Sequence, residues 1–253
     1  MRFLVIAFIA FASANLFGNT LSVKEVTDWT GVTHIVKATA PGAFTISGNG
    51  TVISKSKLPV LPEKVYEFRG EFANPTGKTG RNIYFGLVCY DKDGKIIMPQ
   101  QVMTVPGTDT VLAEECMFTD QKIKIKNGAN WKTSANHCVA FYSKADRSDL
   151  PNKNITRPGI REIKKISDDV WEVTLNKEIG FEYPAQTPVR EHQSGATYIY
   201  YVAGQIPAEG KVLNVSFKAA NLRPGTASVA IVAVFSGDRA TPIAMKDISI
   251  LEK

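Results

Sequence analysis

Apolar and polar residues alternate along much of the chain, and this period of two is typical of β-strands. Within residues 65–72, Tyr66 and Phe68 fall on one side of the predicted strand, whereas Glu67 and Arg69 fall on the other. Helical periodicity is nearly absent, and residues 109–116 are predicted to form one helical turn at most.

The next strand, residues 82–90, has apolar residues on both faces. One face carries Ile83, Phe85, Leu87 and Cys89, and the other carries Tyr84, Val88 and Tyr90. The sequence Asp91-Lys-Asp-Gly94 then predicts a hairpin turn, because glycine accepts a positive φ. Further predicted strands are 170–175, 196–202, 211–218, 227–235 and 244–251.

Short strands separated by turn residues favour an antiparallel sandwich or barrel. Residues 106–195 differ from their flanks, because they contain many short polar segments. We therefore divide the chain into a first part of a β-sandwich at 15–105, a β-rich inserted region at 106–195 and closing strands at 196–253. Two consecutive β units remain the other interpretation.

The first fourteen residues predict a signal peptide. Arg2 precedes an uncharged apolar run, and Ala12-Ser13-Ala14 has the small-x-small pattern of a cleavage site. The run is too short for a membrane-spanning helix, which needs about 20 apolar residues. The mature protein would begin near Asn15 and be secreted, periplasmic or held at the cell surface. A buried N-terminal strand or helix is the alternative.

Composition and charge narrow the function classes. Hydrophobic residues make up 44% of the 253 positions and charged residues 21%, which is enough for a folded core. The net charge of +6 is spread along the chain, and no basic helix or nucleic-acid-binding motif is present. We expect neither a nucleic-acid partner nor stable membrane insertion.

The chain has three cysteines, Cys89, Cys116 and Cys138. In an oxidising compartment, two of them are expected to pair. Cys89 lies within an apolar strand, so Cys116–Cys138 is the predicted disulfide, and three reduced thiols are the alternative. No CxxC motif is present to indicate a zinc or redox site.

Several segments resemble secreted jelly-roll carbohydrate-binding modules of the galactose-binding-like type. These segments are residues 61–72, the strand and DKDG turn at 82–94, and the closing residues 245–251. The resemblance implies a jelly roll, and together with the strand pattern it predicts an all-β, antiparallel jelly-roll-like β-sandwich with an inserted or appended β-rich subdomain. It also implies a polysaccharide or glycan partner and a structural calcium bound through Asp247.

The middle region is similar to segments of phage tail-fibre and bacterial surface proteins. The similarity rests on Trp131, on residues 110–113, 123–125, 149–152, 160–163, 171–175 and 189–192, and on Gly195 and Tyr198 that follow. Its implication for function is less defined than that of the jelly-roll segments.

Two sets of residues are candidates for glycan binding. The first is a polar and aromatic face with Glu67, Arg69, Tyr84 and Tyr90, because aromatic rings contact the C–H faces of sugars and charged groups bind their hydroxyls. Arg69 would favour an acidic sugar. The alternative is that a second sheet or the middle region covers this face.

The second set combines Arg190 and His192, which share one face if their segment is a strand, with Tyr198 and Tyr200, which also share a face. A structural Arg–His pair packed by tyrosines is the alternative. No motif of a metal hydrolase or serine hydrolase is present, and no catalytic residue is assigned.

The expected function is a secreted, non-catalytic carbohydrate-binding protein that recognises extracellular or cell-surface polysaccharide. One alternative is a β-sandwich polysaccharide lyase or glycosidase that would use Arg190, His192 and Tyr198. Another is a structural or adhesion subunit of an envelope or fibre.

Overall fold

A computed structural model describes residues 19–253, so the predicted signal peptide at 1–14 lies outside the described residues. The described chain consists of β-strands and four short 3-10 turns, and it contains no helix long and apolar enough to cross a membrane. The strands are β1 (Thr20–Ser22), β2 (Trp29–Gly31), β3 (Val36–Ala40), β4 (Ala43–Ile46), β5 (Gly50–Ser54), β6 (Leu58–Pro59), β7 (Val65–Ala73), β8 (Arg81–Tyr90), β9 (Thr110–Val111), β10 (Lys122–Lys126), β11 (His137–Phe141), β12 (Ile160–Lys165), β13 (Val170–Leu175), β14 (Pro188–Gln193), β15 (Ile199–Gln205), β16 (Lys211–Lys218), β17 (Ser228–Gly237) and β18 (Ile243–Glu252). The 3-10 turns are Val26–Asp28, Thr33–Ile35, Pro99–Gln101 and Ala219–Asn221.

Two six-stranded antiparallel sheets form a sandwich. Sheet A has the strand order β16-β7-β18-β4-β3, with β1 paired to β18. Sheet B has the order β15-β8-β17-β5-β2, with β6 paired to β17. The predicted all-β, antiparallel jelly-roll-like sandwich is confirmed.

The core of the sandwich lies where the alternation pattern places it. Phe68 and Phe72 of β7 both contact Phe85 of β8, with ring centroids 4.8 Å apart in each pair. These contacts join sheet A to sheet B, while Glu67 and Arg69 lie on the outer side of sheet A. Burial of such aromatic side chains is the main stabilising contribution.

The predicted hairpin turn at Asp91–Gly94 is present. The Asp91 carboxylate accepts the backbone N–H groups of Asp93 and Lys95 at 3.0 and 2.9 Å, and Gly94 has a φ of 73°. The strand after the turn is short, because only Ile96 forms a bridge back to Tyr90.

The middle region forms two smaller sheets with a core of their own. Sheet C has the order β11-β14-β9, and sheet D has the order β10-β13-β12. These strands pair with no strand of sheet A or sheet B in the described chain, and they lie between β8 and β15, which are neighbours in sheet B. Buried side chains between the two small sheets include Trp131, Val139 and Val173.

The expected Cys116–Cys138 disulfide is wrong for this structure, in which all three thiols are free and buried. Side chains alternate along β11, so Cys138 points away from Val139 and Phe141. Those two residues belong to the same core as Cys116, whereas Cys138 lies on the opposite side of sheet C. A pairing inferred from chain position does not account for this alternation.

Candidate functional site

Four tyrosines lie on the outer face of sheet B. Tyr84 and Tyr90 extend from β8, and Tyr198 and Tyr200 lie at the start of the neighbouring β15. The ring centroids are 5.5 Å apart for Tyr84–Tyr200 and 6.1 Å apart for Tyr198–Tyr200. All four side chains are half-buried. We call this surface the tyrosine face.

The close packing of β15 against β8 depends on Gly86, which pairs with Tyr200. A Cβ added at Gly86 would lie 1.9 Å from the carbonyl oxygen of Ile199, which is closer than any real contact. Only glycine therefore allows β15 to approach at this position and bring Tyr200 beside Tyr84.

None of the four hydroxyls of the tyrosine face has a hydrogen-bond partner among residues 19–253. None of these hydroxyl oxygens is buried either. In contrast, the hydroxyl of the core residue Tyr66 accepts the N–H of Leu61 at 2.8 Å and donates to the carbonyl of Pro59 at 3.3 Å. The hydroxyls of the tyrosine face therefore meet solvent and are free to bind a ligand.

An apolar floor supports the tyrosines. Val88, Ala230 and Val232 are completely buried on the outer side of sheet B, and Tyr90 and Tyr198 pack against them. The tyrosines therefore also shield this floor from water. Sequence reasoning missed the floor, although residues 227–235 are apolar at nearly every position, which is typical of a strand covered on both faces.

Burial favours the protonated form of two hydroxyls of the tyrosine face, those of Tyr200 and Tyr90. It raises the pKa of Tyr200, and the neighbouring Tyr198 and Tyr84 add to the shift. Burial likewise raises the pKa of Tyr90, and the Lys57 ammonium lies 3.6 Å from the centre of its ring. The face thus presents neutral donors and acceptors, with one cation at its margin.

The expected grouping of Glu67 and Arg69 with Tyr84 and Tyr90 is wrong. Glu67 and Arg69 lie on the outer side of sheet A, whereas the tyrosines lie on the outer side of sheet B. The Arg69 Nε donates to the Glu67 carboxylate at 2.6 Å. This bond, together with one from Lys253, lowers the pKa of Glu67 to about 2.

Arg190 and His192 are completely buried in β14 and do not extend the tyrosine face. The Arg190 Nε donates to His192 Nε2 at 3.0 Å, and Nδ1 of His192 lies 2.7 Å from the carbonyl of Gln100. The guanidinium also binds the carboxylates of Asp149 and Asp109, at 2.8 and 3.3 Å. The two side chains form the structural pair that was the alternative interpretation.

The electrostatics of His192 agree with a structural role. Burial lowers its pKa to about 4, and the charge of Arg190 acts in the same direction. A neutral ring is required here, because Nε2 can accept from Arg190 only when it carries no proton. Both ring nitrogens bind protein groups, so neither contacts solvent.

A second buried ionisable pair joins β11 and β14. The Glu191 carboxylate contacts His137 Nδ1 and accepts the backbone N–H of Lys132 at 3.1 Å. Glu191 is completely buried, and this burial raises its pKa, while His137 opposes the shift. Sequence reasoning did not single out Glu191, because an acidic residue between Arg190 and His192 is typical of an exposed strand.

Asp247, the residue expected to bind calcium, lies at an irregularity of β18 with a φ of 53°. Its side chain is exposed, and its nearest charged partner is the Lys246 ammonium at 3.9 Å. In the described chain, no three His, Cys, Asp or Glu side chains are grouped as metal ligands would be. Calcium binding through Asp247 stays a prediction.

Comparison of the chain with known protein families, with curated proteins and with solved structures finds no match. The arguments for function therefore rest on the residues and their geometry.

Proposed function

We propose that the protein is a non-catalytic carbohydrate-binding protein that acts outside the cytoplasm and holds a polysaccharide on the tyrosine face. The observation that carries this proposal is the set of four half-exposed rings whose hydroxyls have no protein partner in the described chain. A sugar needs both an apolar surface for its C–H groups and hydroxyl partners, and the tyrosine face offers both.

The arrangement of the rings favours a chain of sugars over a single sugar. The rings are tilted by 53° in the Tyr84–Tyr200 pair and by 77° in the Tyr198–Tyr200 pair, so they form a row and not one flat platform. The row follows the outer surface of sheet B, and its four side chains are partly exposed. Such a shallow site suits binding without bond cleavage.

Glycan arrays followed by affinity electrophoresis test the proposal. Tyr84→Ala and Tyr200→Ala are expected to weaken binding of a polysaccharide identified on the array by about 3- to 10-fold each, the effect of losing one aromatic contact. Tyr200→Phe keeps the ring and loses the hydroxyl, so it separates ring contact from hydrogen bonding.

Val212→Ala is the matched control, because Val212 is exposed by 70% but lies on sheet A. It should bind as the unaltered protein does. The proposal fails if the folded protein binds no polysaccharide on the array or in the gel. It also fails if Tyr84→Ala and Tyr200→Ala abolish self-association in sedimentation experiments while leaving glycan binding unchanged, since that result favours an adhesion or fibre subunit.

A further inference from the structure

A second exposed aromatic surface lies in the middle region, away from the tyrosine face. Phe118 and Phe181 are exposed by 54% and 65%, which is unusual for phenylalanine. They lie on adjacent extended segments, where the Gly180 N–H donates to the carbonyl of Phe118 at 2.9 Å. Both phenylalanines line a groove of about 590 Å³. We call it the phenylalanine groove.

The polar side chains of the phenylalanine groove have no hydrogen-bond or ion-pair partners among residues 19–253. Gln121, Asn176, Arg157 and Lys177 line it, and none of their side chains makes a hydrogen bond or an ion pair in the part of the chain that the structure describes. Glu178 also lines the groove, and its carboxylate likewise makes no hydrogen bond or ion pair with the described residues. The two cations therefore outnumber the one carboxylate.

Some cations of the middle region are paired, whereas Arg157, Lys177 and others such as Lys126 and Arg161 have no ion pair among the described residues. Lys122, Lys124 and Arg147 each bind a carboxylate at 2.6 to 2.9 Å. Near the phenylalanine groove, Arg157 and Lys177 keep their charges available to a ligand. An anionic ligand would complete the pairing that neighbouring cations make within the protein.

We propose that the phenylalanine groove is a second glycan site and that it binds an acidic oligosaccharide, with carboxylates on Arg157 and Lys177 and sugar C–H faces on Phe118 and Phe181. This inference rests on the proposed function for the class of ligand, and it adds a separate site and a charge preference. Amide groups at Gln121 and Asn176 supply partners for sugar hydroxyls.

The lining of the phenylalanine groove argues against a membrane surface as its occupant. Insertion of the two phenylalanines into lipid would remove water from five unpaired polar side chains, three of them charged. Such groups are costly to bury without hydrogen-bond partners. A hydrated acidic sugar offers those partners and leaves water between them.

The test uses an oligogalacturonate and the same oligomer with its carboxyl groups methyl-esterified, measured by isothermal titration calorimetry on the full chain. The acidic oligomer should bind at least about fivefold more tightly than the ester at low salt, and the difference should shrink as salt is added. Phe181→Ala, Arg157→Gln and Lys177→Gln should each weaken the acidic oligomer by about 3- to 10-fold.

Arg239→Gln is the matched control, because Arg239 is also an exposed cation with no ion pair in the described part of the chain, but lies in the sandwich. It should leave binding unchanged, and Tyr200→Ala should leave binding of the acidic oligomer intact. All altered side chains of the phenylalanine groove are exposed, so thermal unfolding should be unchanged.

The failures of the two proposals are distinguishable. Loss of acidic-oligomer binding in Tyr200→Ala but not in the groove variants overturns the second site and supports the tyrosine face. Equal binding of the acid and the ester overturns the charge preference. Phe181-dependent binding to phosphatidylserine vesicles, without oligosaccharide binding, overturns the glycan assignment of the groove and leaves the tyrosine face to its own test.

Discussion

Acidification from pH 7.5 to pH 4.5 is expected to destabilise the protein through His192. In the folded chain the pKa of His192 is lowered to about 4, whereas an unfolded chain restores a value near 6.5. Between these two pKa values, the unfolded state therefore binds a proton at His192 and the folded state does not. The contribution is fully present above pH 6.5 and is lost as the pH falls toward 4.

Burial of the His192 ring is the main reason why its protonation is resisted, and the charge of Arg190 adds to it. A proton on Nε2 would face the Arg190 Nε–H, now 3.0 Å away, and would replace a hydrogen bond with two like charges. Arg147 acts in the same direction, and Asp149 partly opposes it. The difference between the two pKa values corresponds to about 3 kcal/mol of unfolding free energy, reached near pH 4.

Urea unfolding of the unaltered protein and of His192→Gln, from pH 7.5 to pH 4.5, measures this contribution. The glutamine does not titrate, so the difference in unfolding free energy between the two proteins should shrink by about 2.5 kcal/mol over that range. Carboxylates that lose stability on acidification act in both proteins and cancel in the difference.

Parallel pH curves for the two proteins would refute the reasoning. A second measurement covers the case in which His192→Gln does not fold. NMR of the unaltered protein should show a neutral His192 ring, protonated on Nδ1, down to about pH 5. Titration of that ring near pH 6.5 would show that Arg190 does not hold its tautomer.

Two further predictions concern packing and thiol chemistry. Gly86→Ala should destabilise the protein by about 3 kcal/mol in urea unfolding, because the added Cβ would clash with the Ile199 carbonyl. Gly195→Ala is the control and should change the unfolding free energy little, since the nearest atom to its added Cβ lies at 3.4 Å. A stable Gly86→Ala protein would show that β15 can shift. Burial raises the pKa of Cys138 to about 12 and of Cys116 to about 11. A thiol reagent should therefore label neither cysteine until the protein is unfolded. A protein mass lower by two hydrogens under non-reducing conditions would instead show a disulfide.

The sequence pattern predicted strands well where apolar and polar residues alternate between clear turns. The predicted strands at 170–175 and 211–218 match β13 and β16. Strand β3 was not predicted, because its sequence VKATA has one buried residue and no apolar alternation. Strand β14 was also missed, since its buried residues Arg190, Glu191 and His192 make it resemble an exposed segment.

The candidate site was predictable only in part. Alternation within one strand correctly placed Tyr84 and Tyr90 on the same face of β8. The neighbouring Tyr200 lies more than a hundred residues later, and its position depends on the pairing of β15 with β8 across the whole middle region. Arg69 was grouped with Tyr84 for the same reason, because alternation does not show which strands share a sheet.

The polar strand β14 also explains how the middle region keeps its position. His192 binds the carbonyl of Gln100, which lies in the connection from the sandwich, and Arg190 binds Asp109 and Asp149 in two separate loops. Removing one partner would leave a charge buried without compensation, which costs more than the pair contributes to stability. These bonds therefore specify one arrangement of the loops more than they add to the free energy of folding.

Further polar contacts fix the middle region to the sandwich. The Lys153 ammonium binds the Asp91 carboxylate at 3.0 Å, and the Asn152 N–H donates to the carbonyl of Gln101 at 2.9 Å. Arg223 of the sandwich donates to the carbonyl of Ala196 at 2.6 Å, where the chain returns to sheet B. These contacts hold both ends of the middle region against the sandwich that carries the tyrosine face. A polysaccharide long enough to reach both the tyrosine face and the phenylalanine groove would gain affinity from the second contact.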